Sequence, residues 1–420
     1  MKTGPAPARS PWVAFSAVAI GNLMATLDGS IVNVALPTLS VELGAPVHRL
    51  EWIVSAYLIA ISATLLAAGR LGDAAGHRSV YVGGLAVFTL GSALCGLSGS
   101  LGALVAARVV QALGATAMMA IGPAIVTAVF PGSMRGRALG AIGTVVALGL
   151  TLGPPLGGAI LSGLSWRWIF FVNVPVGAAG IAWSLRTLPA RRDGGAGRSS
   201  PVVPLRLLGN PVFAVGIAAG LLSYAAMFSQ TLLTPFFLAR GKGLGPGPLG
   251  LMLAAVPLAL SVSSPLAGWL SDRLGGRFLP PLGMALVAGG LASLAAAGPE
   301  DGLPSIAAGL AACGFGMGLF QAPNNSAVMG AAPRDLLGSA GGLLATARNV
   351  GMAAGVSLSG SLFAWRAGPS PGVPGLLDGW AVALRAGAAI AILAGADSLA
   401  SPGRRGPPLD GGSGSATMRP

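Results

Sequence analysis

The chain has 420 residues, 53% of them hydrophobic and 9% charged, with a mean hydropathy of +0.77; soluble domains carry about 25% charged residues. That excludes an ordinary soluble globular protein and describes a polytopic, all-α membrane protein. The formal net charge of +13 would suggest nucleic acid as a partner in a soluble chain, but the basic residues lie in short connections between apolar runs, and no basic face with interleaved aromatics remains to bind it.

Apolar length and Gly, Pro and charge punctuation predict about twelve spans, near 12–37, 51–70, 79–99, 101–129, 138–163, 167–187, 211–238, 247–270, 279–298, 303–329, 339–365 and 379–398. The first run is too long for a signal-peptide core and no small-residue cleavage site ends it, so it reads as a retained span. With residues 1–11 cytoplasmic, about 17 of the 25 Lys and Arg fall on cytoplasmic segments, about five on external ones and about three within the membrane. Both termini are therefore expected inside. Cys95 and Cys313 lie within apolar runs, which leaves neither a disulfide framework nor a metal site.

In the first span Asp28 interrupts an apolar run, and an ionisable group there is a candidate functional site. The plainer alternative is a carboxylate that only bonds a neighbouring helix. Asn22, Thr26, Gly29 and Asn33 share one helical face, with Asp28 about 130° from its centre. That stripe is expected to face a central cavity, and Asp28 a neighbouring span. The second span carries Tyr57 and ends in GRLGDAAGHR, with Gly69, Asp73, Gly76 and Arg78. In such a turn an acid caps the N-terminus of a nearby helix, a contribution of about 0.3 to 1 kcal/mol.

The fourth span contains Arg108, about 10 Å from the outer surface against about 16 Å for Asp28 on the first. An arginine side chain reaches across that difference if the two spans touch. Arg108 and burial then act on the carboxyl in opposite directions, leaving it poised to take and give a proton; a static buried pair is the alternative. Gln111, one turn along, is placed to complete the hydrogen bonding of Arg108. In the fifth span Gly149, Gly153, Pro154, Pro155, Gly157 and Gly158 allow close packing and a bend.

The connection 188–210, with Arg191, Arg192, Arg198 and Arg206 among Gly, Ser and Pro, reads as a cytoplasmic linker between bundles at 12–187 and 211–398. Beyond it Tyr224, Phe228, Gln230, Gln321, Asn324 and Asn325 are candidate cavity lining, each also explicable as helix bonding. Arg348, about 14 Å from the cytoplasmic side of the eleventh span, is a third embedded charge, with Asn349 beside it. Two arginines against one aspartate favour neutral or anionic cargo at least as much as lipophilic cations. Arg385 and Asp397 make the last span irregular, and the Gly- and Pro-rich tail, 399–420, is expected to be disordered.

The halves repeat one another. GRLGDAAGHR after span two matches GWLSDRLGGR after span eight through Gly268, Asp272, Gly275 and Arg277; PGSMRGRA, with Arg135 and Arg137, matches PRDLLGSA at nearly the same offset. Two six-helix bundles related by an axis along the membrane normal place a cavity at their interface, an architecture for alternating access.

LDGSIVNVALP (27–37), GRLGDAAGHR (69–78), LVAARVVQALGATA (104–117), the fifth-span glycines with GPPLGG (153–158), and PNNSAVMGAAPRDLLGSAGGLLATARNVG (323–351) resemble the major facilitator superfamily, and within it the drug:proton antiporters of the EmrB/QacA type in a twelve-span variant. Across residues 12–365 the resemblance implies contact between the first and fourth spans, with Asp28 and Arg108 coupling protons to transport. It implies a fifth-span surface against the second half that restricts leak. It also implies a cytoplasmic latch in which Asp73 caps the helix starting near Ser339, supported by Arg78, Arg135 and Arg137.

The expected function is proton-coupled export of small amphipathic or drug-like molecules by a transporter, monomeric in the bilayer, with protons and a small molecule as its partners and no cofactor. A proton-linked importer or facilitator keeps the fold and reverses direction. A lipid-modifying enzyme is the remote alternative: His48 and His77 are the only histidines, and no paired carboxylates appear. A receptor or scaffold lacks a substantial soluble domain. Lys2 and Lys242 are the only lysines, and with abundant Ala and Gly this points to a GC-rich bacterium and its inner membrane.

Overall fold

The computed structural model describes residues 10–189, 205–274, 277–333, 336–368 and 372–400. In chain order the α-helices are α1 (Pro11–Glu42), α2 (Val47–Ala75), α3 (His77–Leu97), α4 (Leu101–Val129), α5 (Arg135–Gly163), α6 (Trp168–Phe171), α7 (Asn173–Thr187), α8 (Pro211–Phe236), α9 (Pro246–Leu253), α10 (Ala255–Leu274), α11 (Leu279–Ala296), α12 (Leu303–Gly330), α13 (Leu337–Ala367) and α14 (Val373–Ala400). Taking α6 with α7 and α9 with α10 as single broken columns gives twelve columns, and eleven are long and apolar enough to cross a membrane. The twelfth, α13, has the length, 31 residues, but carries Thr346, Arg348 and Asn349 in its middle. In hydrocarbon every backbone group must be satisfied internally, which is why the apolar stretches resolve into helices.

The sequence also sets where the helices end. The Ser100 hydroxyl accepts from Ala103 N at the start of α4, and Asn210 Oδ1 accepts from Val212 N and Phe213 N ahead of Pro211 at the start of α8. Gly76, at φ +90°, makes the turn between α2 and α3 that a side chain would strain. Pro235 precedes a π-helical turn over Phe237–Gly241 that ends the α8 column. The predicted linker and tail lie mainly outside the described residues; of the linker, Leu205–Gly209 forms a 3₁₀ turn whose Leu207 packs with Phe213, Val328 and Ala340.

The two halves pair their helices alike. In the first, α3 packs on α4, α2 on α4, α1 on α5 and α3 on α7; in the second, α11 packs on α12, α10 on α12, α8 on α13 and α11 on α14. Glycines show the same correspondence at closer range. A Cβ at Gly149 or Gly153 would fall 2.1 Å from Thr26 Oγ1 or 1.8 Å from Ser30 Oγ on α1, and one at Gly351 or Gly355 would fall 2.3 Å from the Leu221 carbonyl oxygen or 2.2 Å from that of Ala225 on α8. Both pairs lie 202 residues apart, the spacing that separates Pro131 from Pro333. The repeat read from loop motifs therefore extends through the membrane as a ladder of close helix contacts.

The halves meet along two related seams, α2 against α13 and α5 against α9. We call the face holding the α1–α2 turn the far face, and the one holding the start of α1 the near face. Toward the far face, Ser55 Oγ lies 3.3 Å from Ser357 Oγ and Arg240 donates to Ser40 Oγ at 3.2 Å. Here too a Cβ at Gly158 would meet the Pro246 carbonyl oxygen at 2.5 Å, and one at Gly250 that of Pro154 at 2.3 Å. Nearer the other face, Leu66 of α2 packs over Gly342 of α13.

Exposed Leu97, Val262, Leu251 and Ile392 present apolar surface outward to lipid. Between α3 and α4, a Cβ at Gly114 would fall 2.3 Å from Phe88 N and 2.6 Å from the Gly84 carbonyl oxygen, backbone that cannot step aside, whereas a Cβ at Gly29 meets nothing within 4 Å. Gly114→Ala is expected to destabilise the purified protein by about 1–3 kcal/mol, the usual range for overpacking. Gly29→Ala should leave the melting temperature in detergent unchanged.

Candidate functional site

Asp28 is completely buried, and every polar group it touches is a donor. Arg108 Nη1 donates to Oδ2 at 2.5 Å, while Gln111 Nε2 and Asn173 Nδ2 donate to Oδ1 at 2.8 and 2.9 Å. Arg108 and Gln111 sit one turn apart on α4 and present a common face to α1. The donors are themselves held: Arg108 Nη1 also donates to Gln111 Oε1 at 2.5 Å, Arg108 Nε donates to the Ile53 carbonyl oxygen at 3.2 Å, and Gln111 Nε2 donates to Ser92 Oγ at 2.7 Å. The guanidinium carbon lies 4.1 Å from the Tyr57 ring centroid and 6.0 Å from that of Phe170. Side chains from α1, α2, α3, α4, α6 and α7 thus enclose one ion pair, 0% and 1% exposed. Such a pair is costly to break from one side, because removing either partner strands a buried charge.

Asp28 turns toward α4 and α7, as its angle on the first span implies. The polar stripe, however, is not a cavity wall along most of its length. Asn22 is buried against Gly122 of α4 and bonds the Val18 carbonyl oxygen, and Thr26 packs against Gly149 of α5 and bonds its own helix. Small glycine partners draw these residues into helix packing. Asn33 is half-buried, with Oδ1 unpartnered. Tyr57 and Gln111, expected in the substrate cavity, belong to the Asp28 cluster, and Gln230 is buried with its Oε1 accepting from Thr234 on the same helix.

A cavity of about 120 Å³ opens instead among α8, α12 and α13, lined by Tyr224, Gln321, Asn324, Asn325, Leu344 and Arg348. The Tyr224 hydroxyl accepts a hydrogen bond from Gln321 Nε2, and Asn324 Nδ2 donates to the Gly216 carbonyl oxygen at 3.0 Å. Arg348 Nε is buried without a partner.

On the fifth helix, Gly149, Gly153 and Gly157 face Thr26, Ser30 and Ile31 of α1 rather than the second half; only Gly158, with Pro154, reaches α9. At the near face, Asp73 is exposed and lies 3.4 Å from His77 Nε2 on its own turn. Arg78 donates to the Leu185 carbonyl oxygen, tying α3 to α7, while Arg135 donates to that of Phe130, and Arg137 sits 5.9 Å from the Trp12 ring. Gly69 is open to space and Arg277 is exposed beside Phe278. The side chain of Asp272 and residue Gly275 lie outside the described residues. No group of three or more His, Cys, Asp or Glu placed to hold a metal occurs among the described residues.

The family described as Major Facilitator Superfamily matches residues 18–356. The chain belongs to that superfamily. Over 397 residues it is 34% identical to an uncharacterized transporter, YebQ, of Escherichia coli (strain K12), covering 81% of this chain and 86% of that one. It is 30% identical to the riboflavin transporter RibZ of Clostridioides difficile (strain 630), covering 85% and 89%, and 29% identical to the tetracenomycin C resistance and export protein of Streptomyces glaucescens, covering 85% and 77%. Among solved structures, a bacterial homologue of the human lysosomal transporter Spinster, inward-facing and unoccupied, superposes with a TM-score of 0.76 at 17% identity, over 95% of this chain and 98% of the other. As a superfamily member the chain is a multi-pass membrane transporter and not an enzyme.

Within this superfamily member, Ser92, Phe170 and Asn173 join the Asp28 cluster without having been sequence candidates, and Glu51 stands apart from it, against α13. Asn173 supplies the third donor to Asp28, and its signal was slight: one amide in the WRWIFFVNVP stretch, just past a predicted loop. Glu51, at the start of α2, buries Oε2 without a partner, over Gly360 of α13. Its signal was a carboxylate at the edge of an apolar run, indistinguishable by position from a solvated loop charge. Arg108→Ala is expected to destabilise the protein by about 3–5 kcal/mol by leaving Asp28 uncompensated. Combining it with Asp28→Asn should restore at least half of that loss, read from thermal unfolding in detergent.

Proposed function

We propose that this chain is a proton-coupled exporter of small amphipathic or drug-like molecules, of the EmrB/QacA type, working as a monomer in a bacterial inner membrane with both termini cytoplasmic. The observation that carries this reading is the sealed Asp28 cluster: an acid held by three donors, one of which also grips a second helix. In this arrangement the carboxyl group is closed to water and accepts every hydrogen bond it makes. A proton arriving at Asp28 would weaken its hold on Arg108, leaving that guanidinium with Gln111 Oε1 on its own helix and with the Ile53 carbonyl oxygen and the Tyr57 ring on α2.

That hand-over reaches the seam directly. Ile53 and Tyr57 flank Ser55, which meets Ser357 of α13, so the state of Asp28 bears on the helix that closes one half against the other. Protonation therefore favours one packing of the halves and substrate the other, and transport follows because each ligand binds the two states unequally. A proton entering down a 100 mV potential contributes about 2.3 kcal/mol, before any pH gradient. Resistance and export proteins among the relatives support the outward direction. The relative named for riboflavin transport supports a second reading, a facilitator or importer of a small metabolite on the same scaffold.

Everted membrane vesicles separate the two. Acidifying the lumen should drive accumulation of an exported compound identified in a drug-susceptibility panel, and Asp28→Asn should lower that accumulation at least tenfold. Unchanged accumulation and pH dependence in Asp28→Asn would remove Asp28 from proton coupling; loss of compound from the lumen on acidification would favour uptake.

A further inference from the structure

The cavity among α8, α12 and α13 has an unusual charge balance for a site in hydrocarbon. Arg348 lies 11 residues into α13, about 16 Å along the axis from its start. It shares the cavity wall with the Tyr224 hydroxyl, its Nε is buried and unpartnered, and no carboxylate lies within 4 Å of it among the described residues. The residue is half-buried, but its Nε is cut off from water, and an ionisable side chain at such a depth marks a site where a counter-charge arrives.

None of the other described acids forms an ion pair with it, including Asp397 near the end of α14, whose Oδ2 is buried without a partner. Asp28 is wholly buried and already holds Arg108. The Glu51 carboxylate sits over Gly360, 12 residues further along α13 than Arg348, or about 18 Å by helical rise. Asp73 is exposed on the near-face turn beside His77. The cavity is therefore positive, and its remaining polar groups, the Gln321 and Asn325 amides and the Tyr224 hydroxyl, include donors that suit an oxyanion. Phe320 and Leu344 supply apolar wall, and about 120 Å³ is several times the space that one water requires, roughly 10–15 Å³.

We propose that this cavity binds the carboxylate of a small aromatic or amphipathic organic acid, with Arg348 as its counter-ion through the free Nε edge and Tyr224 and Gln321 positioning it. This builds on the transport reading by naming its substrate class: organic anions in place of lipophilic cations. The guanidinium turns to the carboxylate when the ligand enters. A cation of the same shape would meet an uncompensated positive charge and lose that interaction.

The test uses three probes of one shape, benzoate, benzamide and benzylammonium, with the purified full-length protein in lipid nanodiscs, and reads dose-dependent thermal stabilisation. Benzoate should stabilise at concentrations at least tenfold lower than benzamide, and benzylammonium should not stabilise at all. Arg348→Gln should weaken the benzoate response at least tenfold, and Tyr224→Phe by a few-fold. Benzylammonium equal to or better than benzoate in the wild type, where no variant need fold, would overturn the proposal. So would a benzoate response unchanged in a folded Arg348→Gln protein. Binding needs no gradient, so failure here leaves proton coupling at Asp28 standing, and failure of the vesicle experiment leaves anion binding standing.

Discussion

The structure depends on a single buried ion pair, Asp28 with Arg108, and on how completely it is solvated by protein. Two carboxylate oxygens receive three donors, and the arginine spends its remaining capacity on a backbone carbonyl and an aromatic face of α2. Taken alone, such a pair is weak support for stability, because desolvation consumes much of the attraction. Its value here is positional. It pins α1, α4 and α7 around one point, and through Arg108 it extends a hold onto α2, the helix that forms a seam with the other half.

Glycine performs the complementary task. With lipid on the outside, no hydrophobic gain drives helices together, so close backbone approach and hydrogen bonds must do it. The ladders Gly149/Gly153 of α5 against α1 and Gly351/Gly355 of α13 against α8 make each half a tightly keyed unit, while Gly158 and Gly250 allow the halves to touch at the seam. Rigid halves joined by narrow glycine seams are what alternating packings of two bundles need, since tightly packed interfaces switch between discrete arrangements instead of deforming gradually.

Much of this architecture is legible in the residues alone. The succession of apolar helices and the internal duplication follow from apolar run lengths and two recurring loop motifs, because the bilayer sets helix length so strictly. The meeting of Asp28 and Arg108 follows from comparing depths along two helices once the family resemblance supplies the contact between the first and fourth spans, and Gln111 follows from its one-turn spacing. Angular reasoning on a lone helix takes Asp28 to its neighbour but misassigns Asn22 and Thr26, whose fate depends on glycines in other helices. Asn173 and Glu51 are hidden for the same reason, as single polar residues at helix starts acquire meaning only from what packs across from them. That no carboxylate of the described residues pairs with Arg348 is a negative fact, and it cannot be read along a chain.

The proposed coupling requires that the proton and the conformational change be separable, with Asp28 assigned the proton and the seams the movement. Solute counterflow in proteoliposomes tests this most directly, measured beside uptake driven by a pH gradient for the same compound. An Asp28→Asn protein should retain counterflow within a few-fold of wild type while losing gradient-driven accumulation. Gradient-driven accumulation at the wild-type level in that variant would contradict the central role given to this buried acid.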